Sequence, residues 1–113
     1  MLKEKDAAAL ELAAMTGAWR DLALRWDLTY RERRMLLPAG GEDAEAPPQD
    51  TERRMRICLE IGHRIRFDTD EELFEWLREP SELWAWHSPL EVMSGTVADL
   101  RRFRWFVEMG MGS

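Results

Sequence analysis

A chain of 113 residues, of which 45% are apolar and 34% charged, is long enough to bury one hydrophobic core and too apolar to be disordered. Its formal net charge of −6 argues against non-specific binding to nucleic acid or to an anionic membrane, because phosphate contacts need a clustered basic face. The single cysteine, Cys58, excludes an intramolecular disulfide, and with only two histidines it cannot complete a zinc site of the usual kind.

Residues 3–27 predict helix in two pieces. Residues 3–15 have a helix-forming composition, with Leu10 and Ala14 on one face, and Gly17 allows a break after them. The second piece, residues 18–27, places apolar side chains at helical spacing: Trp19, Leu22, Ala23 and Trp26.

The stretch "LTYRERRMLLP" predicts another, short helix. Thr29 can cap it, Glu32 completes a capping box three residues later, and Pro38 ends it. Residues 39–50 hold two Gly, two Pro and four acids and nothing large and apolar, so they predict a linker. The predicted organisation is a helical region at 1–38, an acidic Gly/Pro linker at 39–50 and a C-terminal domain at 51–113.

Residues 51–67, "TERRMRICLEIGHRIRF", predict an amphipathic helix of about four turns. Its polar side is predicted to carry Arg53, Arg54, Arg56, Glu60 and Arg64. Its apolar face is predicted to carry Met55, Cys58, Leu59, Gly62 and Ile65.

Three compact helices follow, each preceded by a Ser or Thr that can cap it and by an acidic residue three positions later. Pro80 lies just past the first of them, and Gly95 is available to end the second in a left-handed turn. The cap pairs are Thr69 with Glu72, Ser88 with Glu91, and Thr96 with Asp99. The predicted fold is therefore all-α, with four helices in the C-terminal domain.

The chain offers little material for catalysis. Cys58 and His63 lie about 140° apart around their helix, so they cannot face one substrate. The acidic run at 68–72 lacks the ligand spacing and central Gly of a calcium loop, and no Gly-rich phosphate loop occurs. We therefore predict no catalytic residue, no metal and no cofactor, and set a stand-alone enzyme aside. Without a signal peptide or an apolar span, the protein is predicted to be cytoplasmic and not membrane-bound.

Six tryptophans are the unusual feature of the composition. Trp19, Trp26 and Trp76 lie on apolar helix faces and are predicted to be core residues. Trp84 and Trp86 flank one alanine in a non-periodic stretch, so one regular element cannot bury both. They fit either an anchor for a partner protein or a plug at the end of the bundle, and the sequence leaves both alternatives open.

The last helix, "DLRRFRWFVEMGMGS", is apolar on more than one face. Such a helix must be central in the bundle or covered by another chain. The residues predicted to bind a partner come from this helix and from the stretch before Ser88: Trp84, Trp86, His87, Arg101, Arg104, Trp105, Glu108, Met109, Gly110 and Met111.

Three segments, "RMRICLEIGHRIRFDTDEELFEWLREP", "SPLEVMSG" and "VADLRRFRWFVEMG", resemble the toxin-binding domain of the MbcA/ParS/Xre family of bacterial antitoxins. The family shows Trp-Leu at a helix end, then Pro and usually Asn, Gly-Gly, a Pro-Leu-acid segment and a final helix that closes near Gly. The matching positions here are Trp76, Leu77, Pro80, Pro89, Leu90, Glu91, Met93, Gly95, Leu100 and Gly110. The chain departs from the pattern with Ser81 at the Asn and with Ala85 and Trp86 at the Gly-Gly.

The N-terminal region is similar to the "W-x-L-T-x-x-E" opening of that family's helix-turn-helix, through Trp26, Leu28, Thr29 and Glu32. The match is degenerate, because an acidic linker stands where the family continues into a recognition helix. Such a loop cannot supply the basic and amide groups that read a major groove. The arginines of this region fit phosphate contacts or a solvated face: Arg31, Arg33 and Arg34.

The resemblance implies a type II antitoxin that binds and neutralises a RES-domain toxin, an enzyme that degrades NAD, and that autoregulates its operon. It also implies a homodimer within a hetero-oligomer of toxin and antitoxin. The alternative is a transcriptional regulator that binds DNA through the N-terminal helices.

Overall fold

The computed structural model describes residues 4–38 and 48–110, with side chains from residue 7 onward. Within these ranges the chain forms helices α1 (Glu4–Arg25), α2 (Tyr30–Leu36), α3 (Gln49–Arg64), α4 (Asp70–Arg78), α5 (Pro89–Met93) and α6 (Val97–Glu108), and a 3₁₀ turn at Glu82–Trp84. The predicted all-α class is confirmed: the described residues contain one isolated antiparallel bridge and no strand. None of the described helices is long and apolar enough to cross a membrane.

A single hydrophobic core joins the two regions that the sequence divides at the linker. Helix α3 lies at its centre, between α1 and α6. The N-terminal region contributes Trp19, Leu22, Trp26, Leu36 and Leu37, and the C-terminal region contributes Met55, Ile61, Leu77, Met93 and Phe103. Each fully buried side chain of this size stabilises the fold by about 1.5–3 kcal/mol, so both regions depend on the same core.

Helix α1 does not break at Gly17, where the sequence predicted an interruption; it runs unbroken from Glu4 to Arg25. An interior Gly costs a helix only about 1 kcal/mol, and the buried Trp19 and Leu22 that follow it offset that cost by packing in the core. The chain turns instead at Asp27, whose φ of 52° lies in the left-handed region. Tertiary packing therefore outweighs local propensity here.

The buried face of the first half of α1 differs from the predicted one. Leu10 is 57% exposed and Ala14 is also exposed, whereas Leu12 and Met15 are half-buried. The spacing of Leu12, Met15 and Trp19 continues the buried seam of the second half at intervals of three and four. The seam, rather than the face that contains Leu10, rests on α3.

Helix α3 begins at Gln49, inside the predicted linker, and ends at Arg64 rather than Phe67. The rest of the predicted linker, residues 39–47, lies outside the described residues. Arg54, predicted on the polar side, is buried at 2% exposure. Three backbone carbonyls accept from its guanidinium, and no carboxylate within the described residues does: Nε donates to Leu36 at 2.6 Å, Nη1 to Gly95 at 2.9 Å and Nη2 to Met93 at 3.0 Å.

The acceptors explain why a buried arginine is tolerated. They lie at the C-terminal ends of α2 and α5, where helix carbonyls have no partner within the helix and the dipole is negative. Arg54 thus donates hydrogen bonds to carbonyls at the ends of two helices and links the N-terminal region to the C-terminal bundle.

The predicted caps are confirmed. Thr29, Ser88 and Thr96 each form a capping box with the acidic residue three positions later, and Thr69 accepts from the backbone N–H of Glu72. Pro89 occupies the first turn of α5, where its missing N–H costs nothing. These short helices begin where their local sequence directs.

The left-handed turn predicted at Gly95 is absent, because the only described glycine with a positive φ is Gly110. Gly95 is needed for space instead. A Cβ there would lie 2.6 Å from Asp99 Oδ2 and 3.2 Å from the carbonyl oxygen of Val92. The absent side chain lets the end of α5 and the start of α6 approach closely.

Candidate partner-binding site

Residues 81–87, which we call the aromatic loop, are closed at their base by backbone hydrogen bonds. The Ser81 N–H donates to the His87 carbonyl at 3.2 Å, and the Trp86 N–H donates to the Ser81 carbonyl at 2.8 Å. The Ser81 hydroxyl also accepts from the Leu83 N–H at 3.2 Å. These bonds join the two ends of the loop and hold it in one conformation.

Two consecutive residues of the loop adopt left-handed backbone conformations. Ala85 has a φ of 53° and Trp86 a φ of 67°. For a residue with a Cβ this region costs about 1–2 kcal/mol, so the loop stores strain that its closing hydrogen bonds offset. Trp84 and Trp86, on either side of Ala85, differ in burial.

Trp84 faces inward. Its ring lies 4.9 Å from that of Phe106 in an edge-on arrangement and 5.4 Å from that of Phe103, so it covers the core beneath α6. Trp86 is 68% exposed. Of the two alternatives that the sequence left open, Trp84 fits the plug at the end of the bundle, and for the exposed Trp86 the partner anchor stays a prediction.

Trp76, predicted as core, is half-buried at the edge of the same aromatic group. Its ring lies 5.3 Å from Phe67 and 5.9 Å from Phe103. Trp19 and Trp26 are buried as predicted, at 0% and 2% exposure. Trp76 is the one predicted core tryptophan that keeps contact with solvent.

His87 lies at the exit of the loop, exposed, with Nδ1 3.5 Å from the Oε2 of Glu91. The Glu91 carboxylate also accepts from the Ser88 N–H at 2.9 Å in the capping box of α5. These hydrogen bonds hold the pKa of Glu91 below its ordinary value, and the bond from the Ser88 backbone has the largest effect. The end of the loop is thereby fixed to the start of α5.

Helix α6 presents an exposed stripe on the side away from the core. Arg101, Trp105 and Met109 follow one another at intervals of four and so share a face. Trp105 is 64% and Met109 61% exposed, which is unusual for side chains of this size. The buried residues of the helix are Leu100, Phe103 and Val107, and the helix packs against α3. The helix thus packs in the bundle along one face and leaves Arg101, Trp105 and Met109 exposed on another.

The other predicted residues of α6 divide by role. Arg104 Nη1 donates to Glu60 of α3 at 2.6 Å, and its Nε lies 3.9 Å from Glu108, so this arginine joins two helices. Glu108 and Gly110 are exposed at the end of the helix, and Gly110 has a φ of 82°. Met111 lies outside the described residues.

The arginines predicted as phosphate contacts lie on or beside α2. Arg31 and Arg34 are exposed, whereas Arg33 is half-buried. Helix α2 has only seven residues. The structure therefore brings two accessible cations to one short helix.

Arg78, which the sequence analysis did not single out, links α4 to the N-terminal region. Its guanidinium forms a two-point contact with the Glu32 carboxylate, at 3.1 and 2.9 Å, and also donates to the carbonyls of Trp26 and Asp27. Burial raises the pKa of Glu32, but the hydrogen bonds from Arg78 and Thr29 outweigh burial and keep the pKa below its ordinary value. Glu32 therefore serves both a capping box and an interhelical ion pair.

No group of three or more His, Cys, Asp or Glu side chains within residues 7–38 and 48–110 is arranged to hold a metal ion. Cys58 is fully buried, and burial raises the pKa of its thiol to about 12. The thiol is therefore protonated and lies against apolar neighbours. The exposed aromatic side chains remain the most distinctive chemistry of the described surface.

Comparisons with models of protein families, with curated proteins and with solved structures found no significant match for this chain.

Proposed function

We propose that this chain is an antitoxin that binds a RES-domain toxin directly and neutralises it through the aromatic loop and the end of α6. The observation that carries the proposal is Trp86, an indole that is 68% exposed on a loop closed at its base. A rigid, exposed indole contributes a large contact area and loses little conformational freedom on binding. Such residues are typical anchors of protein interfaces.

The backbone of the loop supports the resemblance at the point where its sequence departs from the family. Ala85 and Trp86 stand where the family has Gly-Gly, and both adopt the left-handed conformation that glycine takes without strain. Two consecutive left-handed positions in the loop would explain why the family has Gly-Gly there. The departure in sequence is therefore compatible with the same backbone path.

The stripe on α6 supplies a second contact in this proposal. Trp105 and Met109 add exposed apolar area, and Arg101 adds a cation that can pair across an interface. Aromatic residues, Met and Arg are the types enriched where proteins meet. Neutralisation follows if this surface covers the active site of the toxin.

The experiment is co-expression of the chain with the toxin encoded beside it, followed by titration of the purified pair. Wild type should restore growth and form a stoichiometric complex. Trp86→Ala should weaken the complex by about 2 kcal/mol or more, as truncation of an interface anchor does. Tyr30→Ala, which truncates an exposed aromatic on α2, is the matched control and should bind as wild type does. Equal affinity of the Trp86→Ala variant would contradict the role of the loop.

A transcriptional regulator is the second candidate, favoured by the exposure of Arg31 and Arg34 on α2. Phosphate contacts make affinity fall steeply with salt, so binding to the promoter fragment of its own operon should be measured at several salt concentrations. A steep loss that Arg31→Ala and Arg34→Ala both reduce would establish DNA binding. Undetectable binding at low salt would leave the partner-binding role alone.

A further inference from the structure

Behind the aromatic loop lies a cleft of about 330 Å³, between the end of α4 and the start of α5. This volume is at the lower end of the range for pockets that hold small ligands, roughly 300–1,000 Å³. Eight residues line it: Trp76, Glu79, Pro80, Ser81, Leu83, Trp84, Pro89 and Phe106. We call it the aromatic cleft.

The chemistry of the lining favours a cation. Trp76, Trp84 and Phe106 are aromatic, and the face of an aromatic ring attracts a positive charge within about 6 Å of its centre. The only ionisable lining residue is Glu79, which is exposed and binds no other side chain of the described chain. Two indoles, a phenyl ring and an unpaired carboxylate form the kind of site that holds an ammonium or guanidinium group.

The segment that supplies every lining residue except Phe106 is acidic. Residues 70–91 contain seven acidic residues, all exposed: Asp70, Glu71, Glu72, Glu75, Glu79, Glu82 and Glu91. The only Lys or Arg in this segment is Arg78, whose guanidinium is engaged by Glu32 and by backbone carbonyls. The segment therefore attracts cations and offers an anionic partner no free arginine or lysine.

We propose that the aromatic cleft receives an arginine side chain of the bound partner protein. Arginine fits better than lysine, because a planar guanidinium can stack on an indole while its N–H groups reach a carboxylate. The cleft shares Ser81, Leu83 and Trp84 with the aromatic loop, so the cleft and Trp86 belong to the same seven-residue segment of the surface. This inference rests on the proposed function for the identity of the partner, but the cation chemistry stands on the cleft itself.

The first test uses the full chain without a partner. N-acetyl-arginine amide is titrated into the ¹⁵N-labelled protein while the six indole N–H signals, assigned by single Trp→Phe variants, are followed by NMR. We expect saturable shifts at Trp76 and Trp84 and none at the buried Trp19. The neutral isostere N-acetyl-citrulline amide should produce much smaller shifts. Equal shifts from both compounds, or no shift from either, would overturn the proposal.

The carboxylate is tested by Glu79→Gln, which keeps the size of the side chain and removes the charge. Affinity for N-acetyl-arginine amide should fall about tenfold, since loss of a contact with a charged group corresponds to at least that factor. Glu11→Gln, at an exposed position on α1, is the matched control and should leave the affinity unchanged. Equal affinities for the two variants would contradict the role of Glu79.

The same two variants are then titrated with the RES-domain toxin. If the toxin binds wild type and the Glu79→Gln variant equally well, the cleft proposal is wrong and the antitoxin proposal survives. If the toxin does not bind wild type while the arginine amide does, the antitoxin proposal is wrong and the cation chemistry of the cleft survives. A loss of about tenfold with Glu79→Gln alone supports both.

Discussion

At the junction of α1 with α3 a glycine provides room, whereas in the aromatic loop two residues that are not glycine adopt the backbone that glycine favours. A Cβ on Gly62 would lie 2.5 Å from Leu22 Cδ1, in the most buried part of the core. Ala85 and Trp86 accept positive φ values on an exposed loop. The first region stabilises the fold, whereas the strained backbone of the second lowers the free energy of unfolding and holds an exposed indole in place.

The largest effect is expected at Arg54, which belongs to the stable region. Arg54→Met keeps most of the volume but leaves the carbonyls of Leu36, Met93 and Gly95 without their donor. The free energy of unfolding should fall by about 3–5 kcal/mol, measured by urea denaturation. Arg53→Met, at the exposed neighbouring position on α3, should change it by less than about 0.5 kcal/mol. A small loss at Arg54 would mean that water or other donors replace the guanidinium.

The next effect separates two glycines inside helices. Gly62→Ala should destabilise by about 1–2 kcal/mol, because overpacking against the buried Leu22 exceeds the gain in helix propensity. Gly17→Ala meets nothing within 4 Å and should stabilise by up to about 1 kcal/mol. Thermal unfolding of both variants checks the signs. A gain at both positions would show that α1 can shift away from α3 without cost.

Replacing Ala by Gly should stabilise the aromatic loop, whereas the same replacement inside a helix destabilises it. Ala85→Gly removes a Cβ from a left-handed position, so we expect unfolding to cost about 1 kcal/mol more than in wild type. Ala13→Gly, in the exposed part of α1, should lose a similar amount, about 1 kcal/mol. Denaturation curves of the pair give the comparison directly. A loss at Ala85 would show that the loop is not strained at this position.

The smallest effect concerns pH. The pKa of Glu32 is lower in the folded chain than its ordinary value of 4.5, so its ionised form stabilises the fold above that pH. This stabilisation is lost as the pH falls through the lowered folded value. The free energy of unfolding, measured from about pH 6 to about pH 3, should therefore decline less steeply in Glu32→Gln than in wild type. An unchanged slope in Glu32→Gln would show that the ion pair with Arg78 does not contribute to the pH dependence.

The parts of the fold that the sequence predicts are those determined locally. Each helix cap joins residues three positions apart, so Thr29, Ser88 and Thr96 could be recognised without knowledge of the tertiary structure. The polarity pattern that predicts the core face of α3 is local in the same sense. The starts of α2, α4, α5 and α6 therefore follow from short-range rules, whereas α3, which has no side-chain cap, begins two residues before its predicted start.

Arg54 and Arg78 could not be predicted in the same way, because their partners lie far along the chain. The acceptors of Arg54 are 18 to 41 residues away, and Glu32 is 46 residues from Arg78. A helical polarity pattern places any arginine on the solvent side, and only the meeting of helix ends makes Arg54 an exception. Long-range pairing is absent from a single sequence.

The aromatic loop lies between these cases. Its composition identifies Trp84 and Trp86 as exceptional, but which indole is buried depends on the two left-handed residues that turn the chain. No rule of periodicity assigns a positive φ to an alanine followed by a tryptophan. The candidate residues of the site could be named from the sequence, and their opposite orientations could not.

The three carbonyls that accept from Arg54 are synthesised at different times. Leu36 leaves the ribosome first, Arg54 follows it 18 residues later, and Met93 and Gly95 follow Arg54 by 39 and 41 residues. A guanidinium buried before all its acceptors exist would lower the stability of any partly made core. The hydrogen bonds that satisfy the buried Arg54 are therefore complete only after α5 has been translated.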